Sequence, residues 1–145
     1  MIAFSISAQR GGGGGRGGNG ERMQEFKKQY LEEQLNLSGD KADAFWKVYD
    51  QYETERKTVR KEMKQLKNGF IALSDAELEK AIEKSFVLKE KEVAIDKKYF
   101  KEFQKVLTIR QVAALYHAEK QMVRMILEKI RNGGGGMPED FDDGE

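Results

Sequence analysis

An all-α, elongated four-helix chain is the fold this sequence predicts, and three observations carry it. The sequence is 35% charged and 39% hydrophobic, and its one proline is Pro138, so nothing in the middle of the chain breaks a long helix. Apolar residues recur there at steps of three and four. A pentapeptide pattern, leucine, hydroxyl residue, two spacers and a long polar residue, recurs as "LSGDK", "LSDAE" and "LTIRQ" ahead of such runs. At 145 residues the chain is most simply one domain.

The elements follow in order. "RGGGGGRGGNG" cannot pack a core, so residues 1–20 are expected to form a flexible leader. The first helix is "ERMQEFKKQYLEEQLN", with Met23, Phe26, Tyr30 and Leu31 on one side. The second begins after Ser38 and runs to about residue 67. Its seam is Phe45, Tyr49, Tyr52, Val59, Met63 and Leu66, with Arg56 filling the gap in an alternating four-three repeat and Trp46 and Val48 widening it. "KNGF" closes this helix, with Gly69 suited to a left-handed C-terminal position. The third helix runs from Ser74 to about residue 105, with an apolar face assigned to Leu78, Ile82, Phe86, Val93, Tyr99, Phe100 and Phe103. The fourth starts at Thr108, carries Val112, Leu115, Tyr116, Met122, Val123, Ile126 and Ile130, and stops at Asn132 and Gly133. The helical domain is thus 21–132, and 133–145 is an acidic tail expected to be disordered. The second and third helices, each about 45 Å long at 1.5 Å per residue, should form an extended hairpin with the shorter helices laid along it.

Each pentapeptide is helix punctuation. Ser38, Ser74 and Thr108 are placed to accept a first-turn backbone N–H. Glu77 and Gln111 can reach back to complete a capping box, whereas Lys41 has no acceptor. The preceding leucines, Leu37, Leu73 and Leu107, are placed to staple onto Ala42, Leu78 and Val112. A spacing near 35 residues raises tetratricopeptide repeats, but their tryptophan, glycine and alanine pattern is missing and the middle helices are too long.

Two copies, taken with the aromatic helix, point further. "LNLSGDKADAFWKVYDQYETERKTVRKEM" and "VLTIRQVAALYHAEKQMVRMIL" resemble the CpxP/Spy family of small periplasmic stress proteins, and more narrowly its Bacteroidetes-type heavy-metal or sigma-factor sensor relatives. That family is defined by two L-T-x-x-Q motifs. Leu107, Thr108 and Gln111 match the second in full; Leu37, Ser38 and Lys41 form a degenerate first copy. The run with Phe45, Trp46, Tyr49, Tyr52, Glu53 and Arg56 is similar to the subgroup's aromatic helix, and the likeness covers residues 22–130. It implies a four-helix, hook-like subunit that pairs into a curved homodimer in the periplasm. It also implies a non-catalytic role: binding unfolded clients without ATP, or restraining an envelope-stress kinase. Some members bind zinc or related metals.

The N-terminus bears on export. "MIAFSISAQ" resembles the end of a secretory signal, an apolar run followed by small residues, and a basic start upstream is the expectation. No stretch approaches the roughly 18 consecutive apolar residues of a membrane helix. A net charge of +1 gives no global drive toward nucleic acid or anionic membrane.

Three functional classes compete. A chaperone or stress adaptor would bind unfolded or signalling proteins through aromatics outside the narrow seam: Trp46, Phe86, Phe100 and Tyr116 are the candidates, against the alternative that they are core or dimer contacts. A metal sensor would depend on His117, the single histidine of a chain without cysteine, where zinc ordinarily takes several nitrogen or sulfur ligands. Met122 and Met125 would suit copper(I), but at helical spacing they read as packing, and no cofactor or metal is expected. Nucleic-acid binding through Arg10 and Arg16 of the leader has a thin electrostatic footprint, so a spacer is the expected role. Catalysis is not expected: there is no phosphate-binding glycine loop or nucleophile elbow, and Asp40, Glu53, Glu77, Asp96 and Glu119 read as scattered over exposed helix faces.

Overall fold

A computed structural model of the chain describes residues 18–133, and among these there are four α-helices and no strand, so the chain is all-α. The elements are α1 (Gly18–Leu35), α2 (Gly39–Asn68), a 3-10 turn (Phe70–Ala72), α3 (Asp75–Val106) and α4 (Ile109–Gly133). Helix α1 therefore starts inside the stretch expected to be leader. The signal-like segment, the rest of the leader and the acidic tail lie outside the described residues. None of the helices described is long and apolar enough to cross a membrane.

Helices α2 and α3 form an antiparallel hairpin. Its register is set by rings: Phe45 lies 5.8 Å from Phe103 and Tyr52 lies 5.3 Å from Tyr99, centroid to centroid. Helix α1 runs antiparallel to α4, with the Lys129 ammonium 4.1 Å from the Phe26 ring centre near one end and Gln111 bonded to Leu35 at the other. The two layers share one core, in which Leu31, Phe45, Phe103, Val112 and Leu115 are fully buried.

The link between α1 and α2 uses two left-handed residues. Asn36 (φ 52°) ends α1: its N–H reaches Glu33 O at 3.2 Å, and Leu37 N–H reaches Glu32 O at 2.9 Å, the paired closing bonds of a Schellman motif. Gly39 (φ 58°) then opens α2, and this conformation explains a correction. Ser38 is the N-cap of α2, but its side chain makes no capping hydrogen bond, because a left-handed first residue turns the opening N–H groups away from the serine hydroxyl.

Gly69 also departs from expectation. Its φ is −88°, in the right-handed region. The chain simply tightens into the 3-10 turn, with Ala72 N–H bonded to Gly69 O at 3.3 Å, so no left-handed residue is needed. Ser74, by contrast, carries a complete capping box with Glu77.

The largest correction concerns α3. Its buried face is Ala81, Leu88, Ile95, Tyr99 and Phe103, which meets α2 and α4. Ile82, Phe86, Val93 and Phe100, expected in that face, are 42%, 55%, 51% and 37% exposed. At 100° per residue those four fall within an arc of about 40°, roughly 120° round from the buried face. Helix α3 thus carries two apolar stripes, and only one faces the core.

Candidate functional site

The first and third pentapeptides meet at one end of the molecule. Leu37 and Leu107 are both buried in the common core, together with Ala42 and Val112. Lys41 is exposed and Ser38 makes no cap, so the first motif contributes through its leucine. The second motif is complete. Thr108 N–H donates to Gln111 Oε1 at 3.0 Å, and Gln111 N–H donates to Thr108 Oγ1 at 3.2 Å.

Gln111 has a further role that capping logic does not contain. Its Nε2 donates to Leu35 O at 2.9 Å, tying the start of α4 to the end of α1 and satisfying a helix-terminal carbonyl. A glutamate would complete the capping box equally well but has no amide N–H for Leu35. Gln111→Glu should therefore destabilise the protein by about 1–3 kcal/mol at neutral pH, since a bond is lost and a carboxylate oxygen is set against a carbonyl. Urea denaturation measures this, and an unchanged midpoint would remove the bridge from the account.

The four aromatic candidates divide. Phe86 and Phe100 lie on the exposed stripe of α3. Trp46 is half-buried against the core and its Nε1 donates to Glu32 Oε1 at 2.8 Å, joining α2 to α1. Tyr116 is also half-buried against the core, and burial together with Asp96 and Glu119 raises its pKa. Trp46 and Tyr116 thus act in packing, and the stripe is completed by Ile82 and Val93. His117 is exposed on α4, and among the described residues no group of three or more histidine, cysteine or acidic side chains is placed to hold a metal ion. Met122 is buried.

Of the five carboxylates, Asp40 and Glu77 stand exposed in first turns, as expected, but the other three are not scattered. Glu53, Asp96 and Glu119 gather around Arg56, the residue that fills the gap in the α2 seam. Arg56 Nη1 lies 3.2 Å from Glu53 Oε1 and 3.9 Å from Glu119 Oε1, and its guanidinium sits 4.7 Å from the centre of the Tyr52 ring. Tyr52 donates to Asp96 Oδ1 at 2.8 Å. Lys27 from α1 and Arg60 from α2 reach Glu53 Oε2 at 4.0 and 3.8 Å.

The electrostatics follow from burial. Burial works to lower the Arg56 pKa, but Tyr52, Glu119, Glu53 and Asp96 together outweigh it and hold the guanidinium charged. Burial raises the Tyr52 and Tyr49 hydroxyls well above the ordinary tyrosine range, with nearby Glu119 adding to both. Burial also pushes Glu119 up to about 7; Arg56 opposes this, Glu53 adds to it, and the nearby Tyr49 hydroxyl and the charge of Lys27 partly offset it.

A shallow groove on the α2–α3 face is lined in part by Asp50, Glu55, Lys98 and Glu102. Its polar groups already answer one another: Lys98 Nζ and the Tyr99 hydroxyl both donate to Glu55 Oε1 at 2.7 Å, which lowers the Glu55 pKa.

No family model, curated protein or solved structure matches this chain. Function is accordingly argued from these side chains, among which the apolar stripe of α3 is an exposed row of large apolar groups.

Proposed function

We propose that this chain is a non-catalytic periplasmic stress protein that holds unfolded polypeptide, without ATP, against the outer stripe of α3. The observation that carries this reading is the line Ile82, Phe86, Val93 and Phe100, each more than a third exposed. Over 18 residues it extends about 27 Å, the length of an extended segment of roughly eight residues. Exposed large apolar side chains in one row are a signature of an interaction surface. The Lys89 ammonium lies 5.7 Å from the Phe86 ring centre, so the stripe carries mobile charge beside its aromatics. The resemblance of "LTIRQ" and the aromatic α2 to the CpxP/Spy family supports the same reading, including export and pairing into a homodimer.

The test is suppression of aggregation of a chemically denatured client at stoichiometric ratio. The wild-type chain should slow aggregation, and Phe86→Ser/Phe100→Ser should lose at least about half of that effect with its circular dichroism unchanged, since the loss is of exposed contacts rather than of core. A wild-type protein that never slows aggregation ends the chaperone reading. A double variant that keeps full activity moves the surface away from α3.

A further inference from the structure

The charged cluster between α2 and α4 has an asymmetry that packing alone does not require. Arg56, Lys27 and Arg60 all come within 4.0 Å of Glu53. Arg56 makes a 3.2 Å hydrogen bond to Glu53, whereas its approach to Glu119 is 3.9 Å, beyond hydrogen-bond length. Glu119 Oε1 is buried without a hydrogen-bond partner, and the side chain as a whole is only 17% exposed. An ionised carboxylate held that way is costly; a neutral carboxyl is far less so.

We propose that Glu53, Arg56 and Glu119 form a proton-operated latch: neutral Glu119 lets α4 close on α2, and ionised Glu119, a second carboxylate competing for the Arg56 guanidinium, loosens that closure. The groups around the Glu53–Arg56–Glu119 triad come from all four helices. They are Lys27 from α1; Tyr49, Tyr52, Glu53, Arg56 and Arg60 from α2; Asp96 from α3; and Tyr116 on α4 itself. Of these, Glu53 and Asp96 are the other carboxylates, and Glu53 holds the guanidinium that Glu119 would need.

The direction of the pH effect is set by the raised Glu119 pKa. A carboxyl with an ordinary value of 4.5 that titrates near 7 in the folded chain binds its proton more tightly when folded than when unfolded. Its contribution therefore favours the closed form at acid pH, begins to fade as pH rises past 4.5, and is gone above about 7. The latch opens on the alkaline side, opposite to a carboxylate stabilised by a salt bridge.

The decisive experiment is carbon NMR of the Glu119 side-chain carboxyl across pH 4–9 in the intact wild-type chain, joined to hydrogen exchange of the α4 amides corrected for intrinsic rates. The carboxyl should titrate near 7, and α4 protection should be about fivefold or more weaker at pH 8 than at pH 6. Glu119→Gln should make α4 protection independent of pH over that range, while Glu53→Gln, by releasing Arg56 to Glu119, should move the midpoint down by about one pH unit. His117 is retained in both variants, so a difference between them and wild type belongs to the triad. A Glu119 midpoint below about 5.5, a wild-type pH profile in Glu119→Gln, or an unmoved midpoint in Glu53→Gln would each overturn the latch.

Discussion

Phe103→Ala should cost about 3–5 kcal/mol of folding stability, the range for deleting a fully buried ring. Phe103 is completely enclosed at the point where α3 meets α2. Its ring lies 5.8 Å from Phe45, 6.5 Å from Tyr49 and 5.5 Å from Tyr52, so truncation opens a cavity walled by three other aromatics. Those rings belong to one long helix, which limits how far they can collapse into the space. Trp46, the single tryptophan, packs edge-on against Phe45 and Tyr49 and so reports this region directly by fluorescence during urea denaturation. Phe103→Leu, which keeps most of the volume, should lose much less. If the alanine variant loses under about 1 kcal/mol, the core is not centred where these contacts place it.

Arg56→Met should destabilise by about 3 kcal/mol or more at pH 8, although the substitution keeps most of the side chain's apolar length. Removing the guanidinium leaves Glu53 and Glu119 in the α2–α4 seam without the cation that lies 3.2 and 3.9 Å from them. It also strips the cation from the face of the Tyr52 ring. The deficit should be smaller at pH 6. Arg56 opposes the rise in the Glu119 pKa, so without it Glu119 takes its proton at still higher pH and is neutral at pH 6. Guanidinium chloride masks such charges, so urea is the denaturant of choice, and a double-mutant cycle with Glu119→Gln isolates the coupling. A deficit that is the same at pH 6 and pH 8 would mean that Arg56 is not coupled to the titration of Glu119.

Both results bear on how the molecule is built. The hairpin core is a stack of aromatic rings whose positions follow from the four-three repeat of α2. The charged cluster interrupts that same repeat at Arg56. A methionine or leucine there would complete an apolar seam and, by the general experience with buried ion pairs, need not be less stable once the facing carboxylates were also replaced. In the proposed latch Glu119 is the group that takes the proton, and Arg56 sets the pH at which it does so.

The helices themselves were legible in the sequence because their causes are local. Steps of three and four mark the α2 seam, the hydroxyl residues at 74 and 108 mark helix starts, and their capping boxes close over three residues. Ser38 looked the same but makes no cap: the residue after it, Gly39, is left-handed, a conformation that glycine permits and that the other two copies do not share. Helix α3 shows the same limit at larger scale. It bears two apolar stripes of similar quality, and periodicity identifies both without saying which one α2 will cover. Reading them as a single face merges Ile82 and Val93 with the buried residues, whereas the folded chain leaves them outside beside Phe86 and Phe100, which the sequence also offers as a binding surface.

By itself the sequence determined an all-α chain of four helices, their boundaries to within a few residues, and the apolar repeat of α2. These depend on residues no more than about four apart, whose interactions exist in any isolated helix. Only the tertiary structure decided which stripe of α3 stays outside. Likewise it alone gave Gln111 its second bond, to a carbonyl 76 positions away, and drew Glu53, Arg56, Asp96 and Glu119 into one part-buried cluster. Such contacts form when the hairpin closes and α4 returns beside α1 and across it, and burial then changes what each charged group prefers to be.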